Sequence, residues 1–263
     1  MIVPNFFEKS IWHYYILQLI KYNHINPKEW KNTYVVLNWL SLIKMHVQDN
    51  RYSEYIANQI KKGTTTCALS CSDGVVLAAD TRASAGMFIA DKHVMKIQNV
   101  DKHLGMTIAG GVADAQNLVD TMRYNANLYR ISNKRIIPVQ SAARLCSNIL
   151  FNQRYFPYYV QIIMAGYEGK GAGQIYNIDL FGSLTEEKFI STGSGSPVAY
   201  GYLESEFKEN MSVDEAYKVA LQAIAAAIRR NAGTGDGINV VIIDKNGYRE
   251  LSKEVKDTVK VVF

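Results

Sequence analysis

Apolar and polar positions along this chain of 263 residues change character near Gly63. Upstream, large aromatics recur among Asn and Lys without a steady period: Phe6, Phe7, Trp12, Tyr14, Tyr15, Trp30 and Trp39. Residues 11–21 and 33–46 read as helices divided by Asn26-Pro27. Such a segment is too apolar for a solvated tail and too short to build much core alone. Residues 1–63 are therefore expected to be a leader that packs on the following domain or on a partner. Translation from Met45 is the alternative; it leaves a shorter, more polar leader ending at the same Gly63.

From Thr65 the pattern becomes regular. Residues 65–70 and 75–80 read as strands flanking Ser72-Asp73-Gly74, a strong turn signal. Residues 87–90 and 104–109 read as further strands, the latter ended by Gly110-Gly111. Ala115, Leu118, Met122, Ala126 and Tyr129 recur at three- and four-residue spacing and predict a helix over 113–131. A second helix follows Pro138, with Ala142, Leu145, Ile149 and Leu150 on one face. Strands are predicted near 159–167 and 174–178, then a loop of small residues over 191–196. Ser212 and Glu215 form a capping-box pattern before an apolar face of Ala216, Val219, Ala220, Ala223 and Ile228. Residues 231–237 read as a polar loop, 238–242 as a strand, and Lys245-Asn246-Gly247 as a turn. The order is strands, two helices, strands, two helices, strands. That argues for an α+β protein with helices in separate layers rather than alternating βαβ units.

Charge narrows the function. Residues 1–63 hold 8 Lys/Arg against 4 Asp/Glu, and residues 64–263 hold 21 against 20. The downstream domain has no basic stripe for nucleic acid. No stretch is long and apolar enough to span a bilayer, and the N-terminus lacks the layout of a signal peptide. The three cysteines, Cys67, Cys71 and Cys146, have no metal-ligand spacing and suit a reducing, cytoplasmic setting.

The Gly63-Thr64 bond has two readings. It is a linker glycine before a Thr-rich strand, or it is a cleavage site. Cut there, Thr64 carries a hydroxyl nucleophile and a free α-amine that titrates near ~8. Seven stretches bear on the choice: Thr64-Thr65-Thr66, Asp80-Thr81-Arg82, Lys96, Thr107-Ile108-Ala109-Gly110, Asp114-Ala115-Gln116, Tyr155-Phe156-Pro157-Tyr158 and Ser191-Thr192-Gly193-Ser194-Gly195-Ser196. In this order they resemble a proteasome β subunit, most closely the archaeal ones, over essentially all of residues 64–263.

The resemblance implies an Ntn-hydrolase fold, a four-layer αββα sandwich. It implies a threonine protease made as a precursor and cut between Gly63 and Thr64. Partners implied are proteasome α subunits and other β subunits in stacked heptameric rings, and an ATP-dependent unfoldase acting through the α ring. Substrates would be proteins and peptides. By resemblance Thr64 is the nucleophile, Lys96 the ammonium that favours its alkoxide, and Asp80 the acid that keeps Lys96 charged. Gly110 fits the oxyanion position, and Ser194 and Thr234 supply hydroxyls that support the terminal amine. Asp80 and Lys96 would otherwise be an ordinary ion pair, and Gly110 a turn glycine. Arg82 reads as structural support.

Three positions depart from the pattern. Asn231 stands where an aspartate is usual; its carbonyl oxygen can accept from the amine or hydroxyl but brings no charge. Thr234 replaces a serine. Ser84 replaces a threonine whose role is largely a main-chain one. The substrate pocket implied by Ala83, Val94, Ile108 and Val112 is apolar, so cleavage after hydrophobic residues is expected. No metal or organic cofactor is implied, since nucleophile, base and oxyanion donor all come from the chain. Two other readings remain open: a catalytically silent ring subunit that keeps its leader, and an Ntn hydrolase acting on small amides.

Overall fold

The computed structural model describes residues 63–252. The helices expected at 11–21 and 33–46, and the choice of Met45 as start, lie outside the described residues.

Twelve strands and four helices are present among the described residues. Strands β1 (Thr66–Cys71) and β2 (Gly74–Asp80) form a hairpin in which Cys71 pairs with Gly74 across Ser72-Asp73. A sheet of order β10-β1-β2-β11-β12 grows around it, with β10 at Phe189–Thr192, β11 at Ile238–Asp244 and β12 at Gly247–Glu250. A second sheet is an antiparallel meander in sequence order: β5 (Ile97–Asp101), β6 (Leu104–Gly110), β7 (Val160–Gly166), β8 (Gln174–Ile178) and β9 (Leu184–Glu186). Strands β3 (Ala83–Ala85) and β4 (Phe88–Asp91) form a separate hairpin.

Helices α1 (Val112–Asn133) and α2 (Val139–Asn152) cover the second sheet. Helices α3 (Ser196–Glu206) and α4 (Val213–Arg230) cover the first. Side chains alternate across each strand, and here both faces are buried. In β2, Val76 and Ala78 meet the helices, while Val75, Leu77 and Ala79 meet the other sheet. In β7, Ile162 and Met164 meet the helices, while Ile163 and Ala165 meet the first sheet. Three apolar layers therefore separate four layers of backbone, which is the αββα sandwich. Burial on both faces explains why β1, β2, β7 and β11 read as continuous apolar runs rather than clean alternations.

Two local signals act as expected from their chemistry. Ser212 and Glu215 form the capping box, with the Ser212 N–H donating to Glu215 Oε2 at 2.9 Å. The turn residue Asp73 accepts the first N–H of α4, from Val213, at 2.9 Å, which ties hairpin to helix. One expected loop is corrected. Residues 191–196 are not all loop: Ser191 and Thr192 end β10, and Ser196 opens α3, because β1 offers Cys67 and Thr66 as ladder partners. No described helix is long and apolar enough to cross a membrane.

Candidate active site around Thr64

The site lies where β1 begins. Thr64 and Thr65 enter the first sheet between the end of β2 and two loops, 193–195 and 231–237. Thr65 C=O accepts the Asp80 N–H at 3.1 Å, and Thr65 N–H donates to Asp80 Oδ1 at 2.9 Å. Asp80 is fully buried, and all its acceptor capacity is in use. Oδ1 also receives Lys96 Nζ at 2.7 Å, and Oδ2 receives the N–H groups of Arg82 at 3.2 Å and Gly235 at 3.0 Å. Lys96 comes from the stretch before β5, is 5% exposed, and donates also to the Arg82 carbonyl at 2.6 Å. Burial pulls the Lys96 ammonium below the ordinary lysine range, and the Asp80 carboxylate opposes that fall.

Thr64 is buried, and its Oγ1 donates to the Gly63 carbonyl at 2.6 Å. Its N–H donates to Ser194 Oγ at 3.3 Å. The loop carrying Ser194 crosses directly over Thr64. Gly193 adopts φ +91, and a Cβ there would lie 2.2 Å from the Thr64 oxygen, so the crossing requires glycine. Gly195 N–H donates to the Thr64 carbonyl at 3.3 Å from the same loop.

Asn231 sits one step away. Its Oδ1 accepts the Gly233 N–H at 2.9 Å, which fixes the amide's orientation, and its Nδ2 donates to Ser194 Oγ at 2.7 Å. This corrects the expectation that the Asn231 carbonyl oxygen meets the Thr64 nitrogen or hydroxyl; Ser194 stands between. Thr234 Oγ1 pairs with Thr65 Oγ1 at 2.7 Å rather than with the Thr64 nitrogen. Ser84 also differs from expectation, because its side-chain Oγ accepts the Gly63 N–H at 2.7 Å. Arg82 ties the 231–237 loop down through Asp236, at 2.7 Å, and the Ala232 carbonyl, at 3.0 Å. The Arg82 guanidinium in turn holds the Asp236 carboxyl below the usual range.

Gly110 closes β6. Ile108 N–H donates to the Lys96 carbonyl at 2.9 Å on the β5 side. N–H groups two residues apart on a strand share an edge, so Gly110 N–H faces that side too. The β5–β6 pairing stops at Ile97 and Thr107, leaving no strand opposite it. Gly110 itself adopts φ +130, beyond the reach of other residues, and a Cβ there would lie 2.0 Å from the Tyr159 oxygen.

A cleft of about 710 Å³ runs away from Thr64. Gly63, Lys96 and Gly110 line its head, and the expected Ala83, Ser84, Val94, Ile108 and Val112 line its walls. The apolar pocket expected from these residues is incomplete, because Gln98, Gln116, Asp120 and Arg123 line the cleft as well. Arg123 pairs with Asp120 at 3.2 Å and with Gln98 Oε1 at 3.1 Å. Of the four only Gln116 falls in a motif stretch; Gln98, Asp120 and Arg123 enter because α1 and β5 pack side by side.

A family profile described as "Proteasome subunit" matches residues 60–243. The chain belongs to the proteasome subunit family. Curated relatives of that family agree on the β type. It is similar to "Proteasome subunit beta 2" of Nitrosopumilus maritimus, 52% identical over 79% of this chain and 98% of that one. It is similar to the protein of the same name from Cenarchaeum symbiosum at 52% over the same shares. "Proteasome subunit beta" of Methanococcus aeolicus is 42% identical over 83% of this chain and all of its own length. As a proteasome β-type subunit, this protein is a member of a family that assembles into proteasome complexes. The three cysteines take no part in the site. Burial pushes the thiols of Cys67, Cys71 and Cys146 up to about 12, so they remain protonated and inert.

Proposed function

We propose that this chain is a threonine endopeptidase subunit of the proteasome core, made as a precursor and activated by cleavage between Gly63 and Thr64. The observation that carries the reading is the 2.6 Å hydrogen bond from Thr64 Oγ1 to the Gly63 carbonyl oxygen, which keeps the hydroxyl beside that carbonyl at the head of a cleft backed by the Lys96–Asp80 pair. In self-cleavage Thr64 Oγ1 attacks the Gly63 carbonyl carbon. The hydroxyl proton passes, directly or through water, to the Thr64 nitrogen, the C–N bond to Thr64 breaks, and the Gly63 acyl group is left as an ester on Oγ1 with the Thr64 amine free. Water hydrolyses the ester, releasing a chain ending in the Gly63 carboxylate and restoring the Thr64 hydroxyl.

The same groups then act on substrate. The Thr64 amine takes the hydroxyl proton, directly or through water, while Oγ1 adds to the scissile carbonyl. Lys96 favours the developing alkoxide, Asp80 holds Lys96 in place, and Gly110 N–H receives the oxyanion. Collapse breaks the scissile C–N bond, and the amine proton passes to the leaving nitrogen. Water, deprotonated by the Thr64 amine, then hydrolyses the acyl ester. Ser194 supports the amine directly, Asn231 through Ser194, and Thr234 through Thr65.

Residues 1–63 are then the leader and 64–263 the proteasome β domain. Ala83, Val94, Ile108 and Val112 favour hydrophobic residues before the cut, with Ser84 aligning substrate backbone. The enzyme would work in the cytoplasm within stacked heptameric β rings, flanked by α subunits and fed by an ATP-dependent unfoldase. Asn231 favours one rival: without a carboxylate there, a silent subunit that keeps its leader becomes the second reading. Thr64→Ala in the particle assembled with its α subunit separates them. Loss of all peptide hydrolysis is expected; unchanged hydrolysis would assign the activity to a neighbouring subunit.

A further inference from the structure

We infer that Arg123 is a specificity-determining residue, whose anchored guanidinium receives the hydroxyl of a tyrosine lying before the scissile bond. The inference rests on the peptidase reading above and narrows its substrate. Val112, Ala115, Gln116, Val119, Asp120 and Arg123 all line the cleft that leads away from Thr64, and their spacing places them on one face of α1. At ~1.5 Å per residue this wall runs for roughly 16 Å from the turn after Gly110. It is mostly apolar at first and ends in Asp120 and Arg123. Gln98 enters the cleft from β5. It pairs with Met106, on the face that Met106 and Ile108 turn toward the helices, and so is a diagonal neighbour of Ile108. Arg123 bonds to the end of Gln98. Its guanidinium therefore stands one side chain beyond Ile108, where the apolar part of the cleft stops.

Arg123 is held at three points. Nε donates to the Asn99 carbonyl at 2.7 Å, Nη1 to Asp120 Oδ1 at 3.2 Å and Nη2 to Gln98 Oε1 at 3.1 Å. Gln98 is fixed in turn, because its Nε2 donates to the Met95 carbonyl at 2.8 Å. A guanidinium carries five N–H donors. One on each Nη is left without an acceptor among the described residues. An acceptor that reaches them must sit at the end of a side chain whose body suits apolar walls. Asp120 lines the cleft too and balances the Arg123 charge, so a carboxylate tip meets repulsion as well as attraction. A neutral acceptor on a rigid apolar body fits both conditions, and that is the phenol of tyrosine. Phenylalanine fills the same walls but leaves the Arg123 donors to water.

The test uses the particle assembled with its α subunit and fluorogenic peptide amides identical except for Tyr, Phe or Glu before the cut. A sealed site built to bond a substrate hydroxyl rejects the analogue lacking it strongly. The Arg123 side chain is 40% exposed, so water competes. Wild type should therefore show kcat/KM only about fivefold higher for Tyr than for Phe, with Glu lowest. Arg123→Met keeps the stem and removes the donors, and the ratio of Tyr to Phe should fall to about one through loss of Tyr hydrolysis. Asp120→Asn keeps an oxygen for Arg123 but removes the balancing charge. It should retain the Tyr preference and raise cleavage after Glu about fivefold. The wild-type comparison stands even where a variant fails to assemble. Equal rates for Tyr and Phe in wild type, an unchanged ratio in Arg123→Met, a fall of equal size for both substrates, or no gain for Glu in Asp120→Asn would each overturn the inference and leave Thr64 as nucleophile. No hydrolysis by wild type, or hydrolysis that survives Thr64→Ala, would overturn the peptidase reading and this inference with it.

Discussion

The two sides of the Thr64 site are built in opposite ways. On one side Asp80 and Lys96 are buried, and Asp80 satisfies four donors from Thr65, Lys96, Arg82 and Gly235. On the other, Gly110 has no side chain to anchor and is held by backbone pairing alone, with Ala109 opposite Gln161 before it and Gly111 N–H on the Tyr159 carbonyl after it. The first side is over-determined: any one bond can fail and the rest hold the charge in register. The second is a backbone donor at the end of a strand with no buried charge to satisfy, so a change there should show first in geometry. Fold energetics and catalytic geometry are therefore separable here, and substitutions on the two sides should separate them.

The largest effect is expected at Asp80. Asp80→Ala leaves Lys96 buried without its counter-ion and strands three backbone donors. A loss of roughly 3–5 kcal/mol is expected, read as a fall in denaturation midpoint, together with failure to process. A cost below about 1 kcal/mol would show that the pair is no keystone. Lys96→Met comes next. It removes the charge while keeping the stem, and should lower peptide hydrolysis at least on the order of a hundredfold. Measured rates within tenfold of the parent would remove Lys96 from the mechanism.

Lys96 also gives the comparison a pH signature. Its folded pKa is lowered from 10.5, mainly by burial. Between the lowered value and 10.5 the unfolded chain binds more protons than the folded one, so this group makes stability rise with pH in that window. On the proposed mechanism activity needs the ammonium and should fall through the same window. The difference in midpoint between wild type and Lys96→Met should thus move in wild type's favour as pH rises, while wild-type turnover drops. Both quantities moving together would contradict the assignment.

Smaller effects belong to the rim. Ser84→Ala removes the acceptor for Gly63 N–H and should slow the appearance of processed chain a few-fold, at a stability cost of about 1 kcal/mol. Arg123→Ala breaks an exposed pair with Asp120, whose side chain is 75% exposed. It should cost less than about 1 kcal/mol and show itself only as altered cleavage after residues with a polar tip such as tyrosine.

Much of this architecture is readable from the residues because the sandwich buries both faces of its central strands. Runs such as Val75-Val76-Leu77-Ala78-Ala79 leave little choice but a covered sheet. The capping box at Ser212 and the turn at Ser72-Asp73 speak for themselves. Helix α3 enters the expected order only as one of the later pair, without bounds, because it buries only Ala199 and Leu203, too little to leave a period. Strands β3 and β9 have three residues each, shorter than any alternation can reveal, and β10 ends in Ser191-Thr192, which read as loop. The site divides in the same way. Thr64, Asp80, Lys96 and Gly110 are found by their place in an ordered set of motifs. The Asn231–Ser194 bond, the Ser84 hydroxyl and the Arg123–Gln98 bond depend on how distant segments meet, and nothing local marks them.

The central claim is that Thr64 becomes an N-terminus. The measurement is intact mass with N-terminal sequencing of this chain after assembly with its α subunit. A chain beginning at Thr64 is predicted, with Thr64→Ala abolishing peptide hydrolysis. A chain that keeps Gly63 or anything upstream would leave Thr64 acylated and without a free amine, and would contradict the account.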